Sequence, residues 1–147
     1  FFPFEIPLIL DSLGYFWYGI DLSVNGKFPT EHDLPNNLWP SLLSIFFNIT
    51  NSEKFLDYMV IQRNLSIVFS VFTAIPIYFL AKKFIRKEFA LIAPLFFIFE
   101  PRIIENSLAG ITEPFFIFMV VSSLALFFSE QKKLILLSFV LSGLFCS

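Results

Sequence analysis

One apolar run, residues 58–81, limits the fold of this chain more than any other feature of its sequence. A helix that crosses a lipid bilayer needs about 20 predominantly apolar residues, and this run is long enough. A second run of sufficient length covers residues 107–128 and contains Glu113 and Pro114. Only 15% of the 147 residues are charged, whereas soluble domains carry about 25%. The sequence therefore predicts an integral membrane protein.

Two further apolar segments and the N-terminal residues complete the predicted architecture. Residues 89–104 and 134–147 are also predicted to be transmembrane segments, and the latter reaches the end of the chain. Residues 1–10 are expected to be the outer end of a preceding helix. Because the chain starts without Met and stops inside an apolar segment, we expect the N-terminal part of a longer protein, inactive by itself. The predicted fold class is all-α, a multi-pass helical membrane bundle.

Two short basic loops, residues 82–87 and 132–133, orient the predicted bundle. The first contains four Lys or Arg residues and the second contains two, and short loops of this kind stay cytoplasmic. Two predicted spans separate these loops, so both can lie on the same side of the membrane. The loop at 11–57 and the turn at 100–106 are then expected outside. We therefore expect a multi-pass protein of the cell membrane with most of its acidic residues outside.

The first outer loop begins with a segment, residues 11–24, whose periodicity predicts an amphipathic helix in the membrane interface. Its apolar face consists of Leu13, Phe16, Trp17, Ile20 and Val24. The opposite face contains Asp11, Tyr15 and Tyr18, which we expect to point toward a cavity. Residues 38–49 are apolar but too short for a span, and they predict a second interfacial or re-entrant helix.

Ionisable residues near the outer ends of the predicted helices are the candidate functional groups, because charges at membrane depth usually face a cavity, a partner or a substrate. Asp11 opens the first outer loop, Arg63 lies near the outer end of a span, and Glu113 follows the second outer turn. Simpler roles fit all three. Asp11 can be a helix N-cap, and Glu113 can be a first-turn acid that the helix dipole favours. Arg63 can extend to the outer interface, and the single histidine, His32, can be a solvated loop residue.

Three stretches of the sequence resemble the GT-C superfamily of membrane glycosyltransferases. Residues 11–18 and 26–29 are similar to the first outer loop of that fold, in which a catalytic acid is followed by interfacial helices. Residues 63–83 resemble the next helix of the protein O-mannosyltransferase-like group, glycosyltransferase family 39. Residues 101–113 resemble the second acidic motif of the oligosaccharyltransferase catalytic subunit. The matching positions of that motif are Pro101, Ser107, Ala109, Gly110 and Glu113.

Two departures leave the choice within the superfamily open. Asp11 is followed by Ser12, where O-mannosyltransferases usually have Glu. Phe115 stands where the oligosaccharyltransferase motif has its second acid. The resemblance implies transfer of a hexosyl or pentosyl group, in the manner of a mannosyltransferase. The donor would be a polyprenyl-phosphate or dolichyl-phosphate sugar, and the acceptor a protein or lipid on the extracytoplasmic side.

The resemblance also implies roles for the candidate residues. Asp11 would be the catalytic base, and Glu113 and Glu105 would belong to the second acidic motif. Arg63 or Arg102 would hold the donor phosphate, since Arg forms bidentate pairs with phosphate. The residues expected to line the acceptor cavity are Tyr15, Tyr18 and His32. A divalent cation, Mn²⁺ or Mg²⁺, could use Asp11 and Glu113 as oxygen ligands, although the sequence does not decide whether one is bound.

Two other functions stay open, and nucleic acid is not an expected partner. A polytopic transporter would use these acids to bind ions near the bilayer midplane, whereas here they cluster at the outer ends of the predicted helices. A non-catalytic membrane subunit would keep the fold without the chemistry. The net charge of −2 gives no sign of a nucleic-acid partner, for which a basic patch would be expected.

Overall fold

The computed structural model describes residues 6–8, 11–28, 37–50 and 52–145 of the chain. Within these ranges the secondary structure is helical, without strands, which confirms the predicted all-α class. The helices are α1 (Asp11–Asn25), α2 (Leu38–Ile49), α3 (Phe55–Phe84), α4 (Ile92–Ile98), α5 (Pro101–Ala109), α6 (Glu113–Phe127) and α7 (Lys132–Phe145).

Helix α3 is the central element and is long and apolar enough by itself to cross a membrane. It contains 30 residues, with Asp57 in its first turn and Lys82 and Lys83 in its last turn. Only 17% of its most apolar 18-residue window is buried, whereas the core helix of a soluble protein is mostly buried. Among the described residues no other single helix meets the same length and hydropathy, and α5 with α6 meets them only as a bent pair.

The predicted segment 89–104 is not one helix. It contains α4 and the first half of α5, with a break between Ile98 and Pro101. Proline at the first position of a helix suits a new start, because its missing N–H would have no partner there. The residues predicted as an outer turn, 100–106, therefore belong mostly to α5.

The chain reverses after α5 instead, and the predicted segment 107–128 is divided there. Gly110 ends α5 in the left-handed region, with φ of 71°, where glycine has no steric penalty. The axes of α5 and α6 differ by 120° across this turn. Glu113 then begins α6, with Pro114 at its start.

The break between α4 and α5 lies level with the middle of α3. Ile98 and Phe99 line a small cavity of about 280 Å³ together with Ser70 and Val71. Since Ser70 is halfway along α3, the chain is interrupted at half the height of that helix.

Helices α1 and α2 pack closely against each other at a glycine. A Cβ atom at Gly19 would lie 3.1 Å from Leu43 Cβ and 3.1 Å from Phe47 Cε2. The two helices can approach this closely because position 19 has no side chain. Phe16 packs edge-on against Phe47 beside this contact, with ring centroids 5.7 Å apart.

Aromatic rings connect this helical pair to α3 and α6. Trp39 of α2 is fully buried, and its ring centroid lies 6.2 Å from that of Phe69 and 5.4 Å from that of Phe115. Phe69 and Phe115 are themselves 4.8 Å apart in an edge-to-face arrangement, a favoured geometry for aromatic pairs. The core therefore lies in the half of α3 that contains its N-terminus.

The other end of α3 contacts the turn between α6 and α7. The rings of Phe84 and Phe128 are 5.5 Å apart, and Lys83 Nζ lies 3.5 Å from a carboxylate oxygen of Glu130. Helix α6 therefore runs beside α3 in the same direction. Together these contacts separate an end of the fold with Asp11 and Glu113 from an end rich in lysine and arginine.

Candidate functional site

Gln62 joins the two chain segments that contain the predicted acidic residues. Its side-chain Nε2 donates hydrogen bonds to the carbonyl oxygen of Ser12, at 2.9 Å, and to that of Gly110, at 2.8 Å. Asp11 directly precedes Ser12, and Glu113 lies three residues after Gly110. Because one nitrogen reaches both oxygens, the starts of α1 and α6 are held close together.

Arg63 and Ser66 extend this connection along the same helix. The Arg63 side chain is 3% exposed, and its Nη2 donates a hydrogen bond to the carbonyl oxygen of Pro7 at 3.2 Å. Ser66 Oγ donates to the carbonyl oxygen of Ile111 at 3.1 Å. Buried polar side chains need such partners. We call Gln62, Arg63 and Ser66 the α3 clamp, because their side chains hold both acid-bearing segments against α3.

Gly110 allows the turn before α6 to lie directly on the α3 clamp. A Cβ atom at this position would be 3.0 Å from Arg63 Cγ and 3.2 Å from Leu8 Cδ2. The positive φ and the close packing both require glycine here. Gly110 is one of the positions that match the second acidic motif. In the structure it allows the turn before α6 to pack against α3.

Tyr15 lies within electrostatic range of both Asp11 and Glu113. It is 6% exposed, and this burial raises the pKa of its hydroxyl above the ordinary value of 10.0. The negative charges of Glu113 and then Asp11 raise that pKa further. The hydroxyl is therefore protonated at neutral pH and can donate a hydrogen bond. Asp11 and Glu113 are both exposed, so the structure brings two accessible carboxylates near one neutral donor.

Tyr18 joins α1 to α2. Its side chain is buried, and its hydroxyl donates a hydrogen bond to Oδ1 of Asn37, the residue before α2. Burial also raises the pKa of Tyr18. Tyr18 therefore lies between two helices, and its role in lining an acceptor cavity stays a prediction. His32, the third residue predicted to line the cavity, lies outside the described residues.

The predicted separation of α1 into an apolar face and a cavity face is only partly correct. Tyr15 and Phe16, predicted on opposite faces, are both buried, whereas Asp11 is exposed. Trp17 and Val24 are 43% and 77% exposed. Apolar side chains in a membrane interface can face lipid as well as protein. The side of α1 that faces the protein depends instead on the close packing of α1 on α2.

Arg102 and Glu105 are both exposed on α5, and Arg102 lies at the far end of this helix from the α3 clamp. Arg102 is in the first turn of α5, whereas Gly110 follows its last residue. That difference corresponds to about 12 Å along the helix axis. The structure therefore brings Arg63, but not Arg102, to the turn that precedes Glu113.

The metal prediction depends on two carboxylates only. Among the described residues, no group of three or more His, Cys, Asp or Glu side chains is arranged to hold a metal ion. Mg²⁺ commonly uses one or two carboxylates and keeps several waters. Asp11 and Glu113, whose charges both act on Tyr15, would supply two carboxylates, and any further ligands would have to come from water or substrate.

Sequence reasoning missed the role of Gln62. A signal was present, because Gln62 interrupts an apolar run and a polar side chain at that depth requires a partner. Its partners lie 50 and 48 positions away in the sequence. Because the partners are so distant in the sequence, they could be identified only from the structure.

Comparison with known proteins gives no relative for this chain. No protein-family model matches it, and neither does any curated protein or solved structure. Its function is therefore inferred from the arrangement of Asp11, Tyr15 and Glu113 around the α3 clamp.

Proposed function

We propose that this chain belongs to a membrane glycosyltransferase of the GT-C type, which moves a sugar from a polyprenyl-phosphate donor to a protein or lipid acceptor. One observation carries the proposal: Gln62 Nε2 donates hydrogen bonds to the carbonyl oxygens of both Ser12 and Gly110, which holds the segments of Asp11 and Glu113 close together. The resemblance predicts that these two acids share one outer cavity, although they are far apart in sequence. Tyr15, on which the charges of both acids act, supports that expectation.

The proposal includes a membrane orientation. In it, α3 crosses the bilayer with Asp57 outside and Lys83 inside, in agreement with the rule for basic loops. The other helices that run beside α3 are proposed to cross as well, which makes the protein multi-pass. Large exposed apolar side chains on α4 and α7 support this, such as Phe96 at 76% and Phe139 at 60%, because lipid would cover them.

The proposed reaction begins with Asp11 as the general base. Its carboxylate takes the proton of the acceptor hydroxyl, and the acceptor oxygen attacks the anomeric carbon of the sugar. The bond from that carbon to the phosphate oxygen breaks, and the phosphate keeps the electron pair. Attack opposite the leaving group inverts the anomeric centre. The neutral hydroxyl of Tyr15 would orient the carboxylate or a sugar oxygen as a hydrogen-bond donor.

Arg63 is the better placed of the two proposed phosphate ligands. It lies in the α3 clamp, next to Gln62, whereas Arg102 lies at the distant end of α5. The Arg63 guanidinium is buried, so in this role the donor phosphate would replace the Pro7 carbonyl as one of its hydrogen-bond partners. In this role Arg63 would stabilise the negative charge that develops on the leaving group.

A transfer assay with the full-length protein in membranes tests the catalytic assignment. Asp11→Asn should lower the rate of transfer from a labelled polyprenyl-phosphate sugar by at least ~10²-fold, the low end for the loss of a general base. Glu113→Gln should also impair transfer. Glu88→Gln is the matched control, because this exposed carboxylate follows α3 at the opposite end of the fold and should leave the rate nearly unchanged.

The outcome that rejects the assignment is equally specific. If Asp11→Asn transfers sugar at the wild-type rate while it is folded and inserted, Asp11 is only the N-terminal residue of α1. The reading of Asp11 as a helix cap would then replace the catalytic one.

One observation favours a second function, ion-coupled transport. The chain breaks between α4 and α5 at half the height of α3, beside Glu100 and Arg102. Discontinuous helices with charged groups at mid-depth are typical of transporter binding sites. In that case Glu100→Gln should abolish substrate-dependent ion flux in vesicles, and Asp11→Asn should not. Absence of any such flux in the wild-type protein would exclude this function.

A further inference from the structure

A second site candidate lies at the opposite end of the fold from Asp11. A groove of about 750 Å³ opens between α3, α6 and the start of α7. Its walls are largely apolar side chains, among them Phe72, Phe79, Phe118 and Leu126. Lys83, Glu130 and Gln131 line the end of the groove near the turn between α6 and α7.

The length of the groove matches one leaflet of a bilayer. It extends along α3 from Phe72 to Lys83, which is about 16 Å at the rise of an α-helix. The hydrocarbon core of a bilayer is about 30 Å thick, so each leaflet supplies about half of that. The groove therefore covers the depth that one acyl chain occupies.

The charge at the end of the groove favours an anion. Six basic residues lie in or beside the end of α3 and the start of α7, against two acidic ones. They are Lys82, Lys83, Arg86, Lys87, Lys132 and Lys133, with Glu88 and Glu130. The Glu130 carboxylate that pairs with Lys83 at 3.5 Å is on a side chain that is 93% exposed. Such an exposed ion pair is weak, so a phosphate group can take its place on Lys83.

We propose that this groove binds one acyl chain of an anionic phospholipid, with the lipid phosphate on Lys83. The inference rests on insertion of α3 into the membrane. It does not depend on sugar transfer, because the proposed site lies at the other end of α3 from Asp11 and can be measured without turnover. Basic residues near a membrane surface attract anionic lipids by about fivefold per charge.

Native mass spectrometry of the purified full-length protein tests the charge requirement. The probes are phosphatidylglycerol and phosphatidylcholine with identical acyl chains. Phosphatidylglycerol should bind at least about fivefold more tightly, and Lys83→Gln should remove this preference. Lys87→Gln is the matched control, since Lys87 is exposed at the same end but does not line the groove. Equal losses in both variants, or equal binding of both lipids by the wild-type protein, would overturn the proposal.

A steric pair of variants tests the groove itself. Ala125 lines the groove and Leu124 does not. Ala125→Phe should therefore fill the groove and lower phosphatidylglycerol binding by about tenfold, whereas Leu124→Phe should leave it unchanged. A photo-crosslinking residue at Ser122, another lining position, should capture lipid. Its capture of a second copy of the chain, or of another segment of the same chain, would mean that protein fills the groove and would also overturn the proposal.

Discussion

The side-chain nitrogen of Gln62 lies 2.9 Å from the carbonyl oxygen of Ser12, and this contact holds the start of α1 against α3. The same nitrogen holds the turn at Gly110 at 2.8 Å. One buried amide in a mostly apolar helix therefore determines how close the segments of Asp11 and Glu113 come to each other. The proposed chemistry therefore depends on Gln62, which positions Asp11 and Glu113 through hydrogen bonds to the backbone of Ser12 and Gly110.

The first prediction concerns the stability that this amide provides. Gln62→Leu should lower the free energy of unfolding by about 1–3 kcal/mol, because the carbonyl groups of Ser12 and Gly110 each lose the hydrogen bond from the buried Gln62 amide. Denaturant unfolding of the detergent-solubilised protein measures the change. Gln131→Leu is the control, since Gln131 is exposed and should change stability by less than about 0.5 kcal/mol. Equal stability of the two variants would show that the Gln62 contacts contribute nothing.

The second prediction concerns the titration of Tyr15. Glu113→Gln and Asp11→Asn should each lower the pKa of Tyr15 toward its ordinary value of 10.0, because each removes a negative charge that disfavours tyrosinate. The effect should be larger for Glu113→Gln, since Glu113 is the stronger of the two charges acting on Tyr15. Ultraviolet absorbance of tyrosinate, after subtraction of the Tyr15→Phe signal, measures the shift without any assay of activity.

Because the pKa of Tyr15 is raised in the folded protein, the free energy of unfolding should depend on pH. The folded protein has a Tyr15 pKa above 10.0, so the folded state resists loss of that proton. The corresponding stabilisation is complete below pH 10 and is lost as pH rises through the folded pKa. Glu105→Gln should leave the titration unchanged. If both Asp11→Asn and Glu113→Gln also leave it unchanged, the two acids do not share Tyr15 as a neighbour.

Several elements of this fold followed from local sequence. The predicted starts at Asp11 and Leu38 coincide with the starts of α1 and α2. The apolar run at 58–81 lies within α3. These features are encoded by residues close together in the chain, through hydrophobic periodicity and the length of apolar segments.

The parts that failed depend on contacts between distant residues. The predicted segment 107–128 assumed that apolar residues continue one helix through Gly110, but the left-handed φ of that glycine ends α5. The protein-facing side of α1 could not be taken from hydrophobicity, because lipid and protein both accept apolar side chains. It depends on Gly19, whose close contact with Leu43 and Phe47 of α2 becomes visible only in three dimensions.

The third prediction tests that close contact between α1 and α2. Gly19→Leu should destabilise the protein by about 1–3 kcal/mol, because even its Cβ atom would lie 3.1 Å from Leu43 and Phe47. Gly143→Leu is the matched helical control, since nothing lies within 4 Å of a Cβ atom at that position. Thermal unfolding followed by circular dichroism compares the two variants. Equal melting temperatures would mean that α1 and α2 do not pack through Gly19.

The fourth prediction tests the membrane orientation on which the proposed site depends. Ser52 precedes α3 and Lys87 follows it, so a helix that crosses the membrane must place them on opposite sides. In a Cys146→Ser background, an impermeant thiol reagent added outside intact cells should label Ser52→Cys and leave Lys87→Cys unlabelled until the membrane is permeabilised. This expected direction follows from the basic residues after α3, because short loops rich in Lys and Arg usually stay in the cytoplasm. Labelling of both positions from the same side would show that α3 does not span the bilayer. Labelling of Lys87→Cys alone would show that α3 crosses in the reverse direction, which would place Asp11 and Glu113 in the cytoplasm and exclude an extracytoplasmic active site.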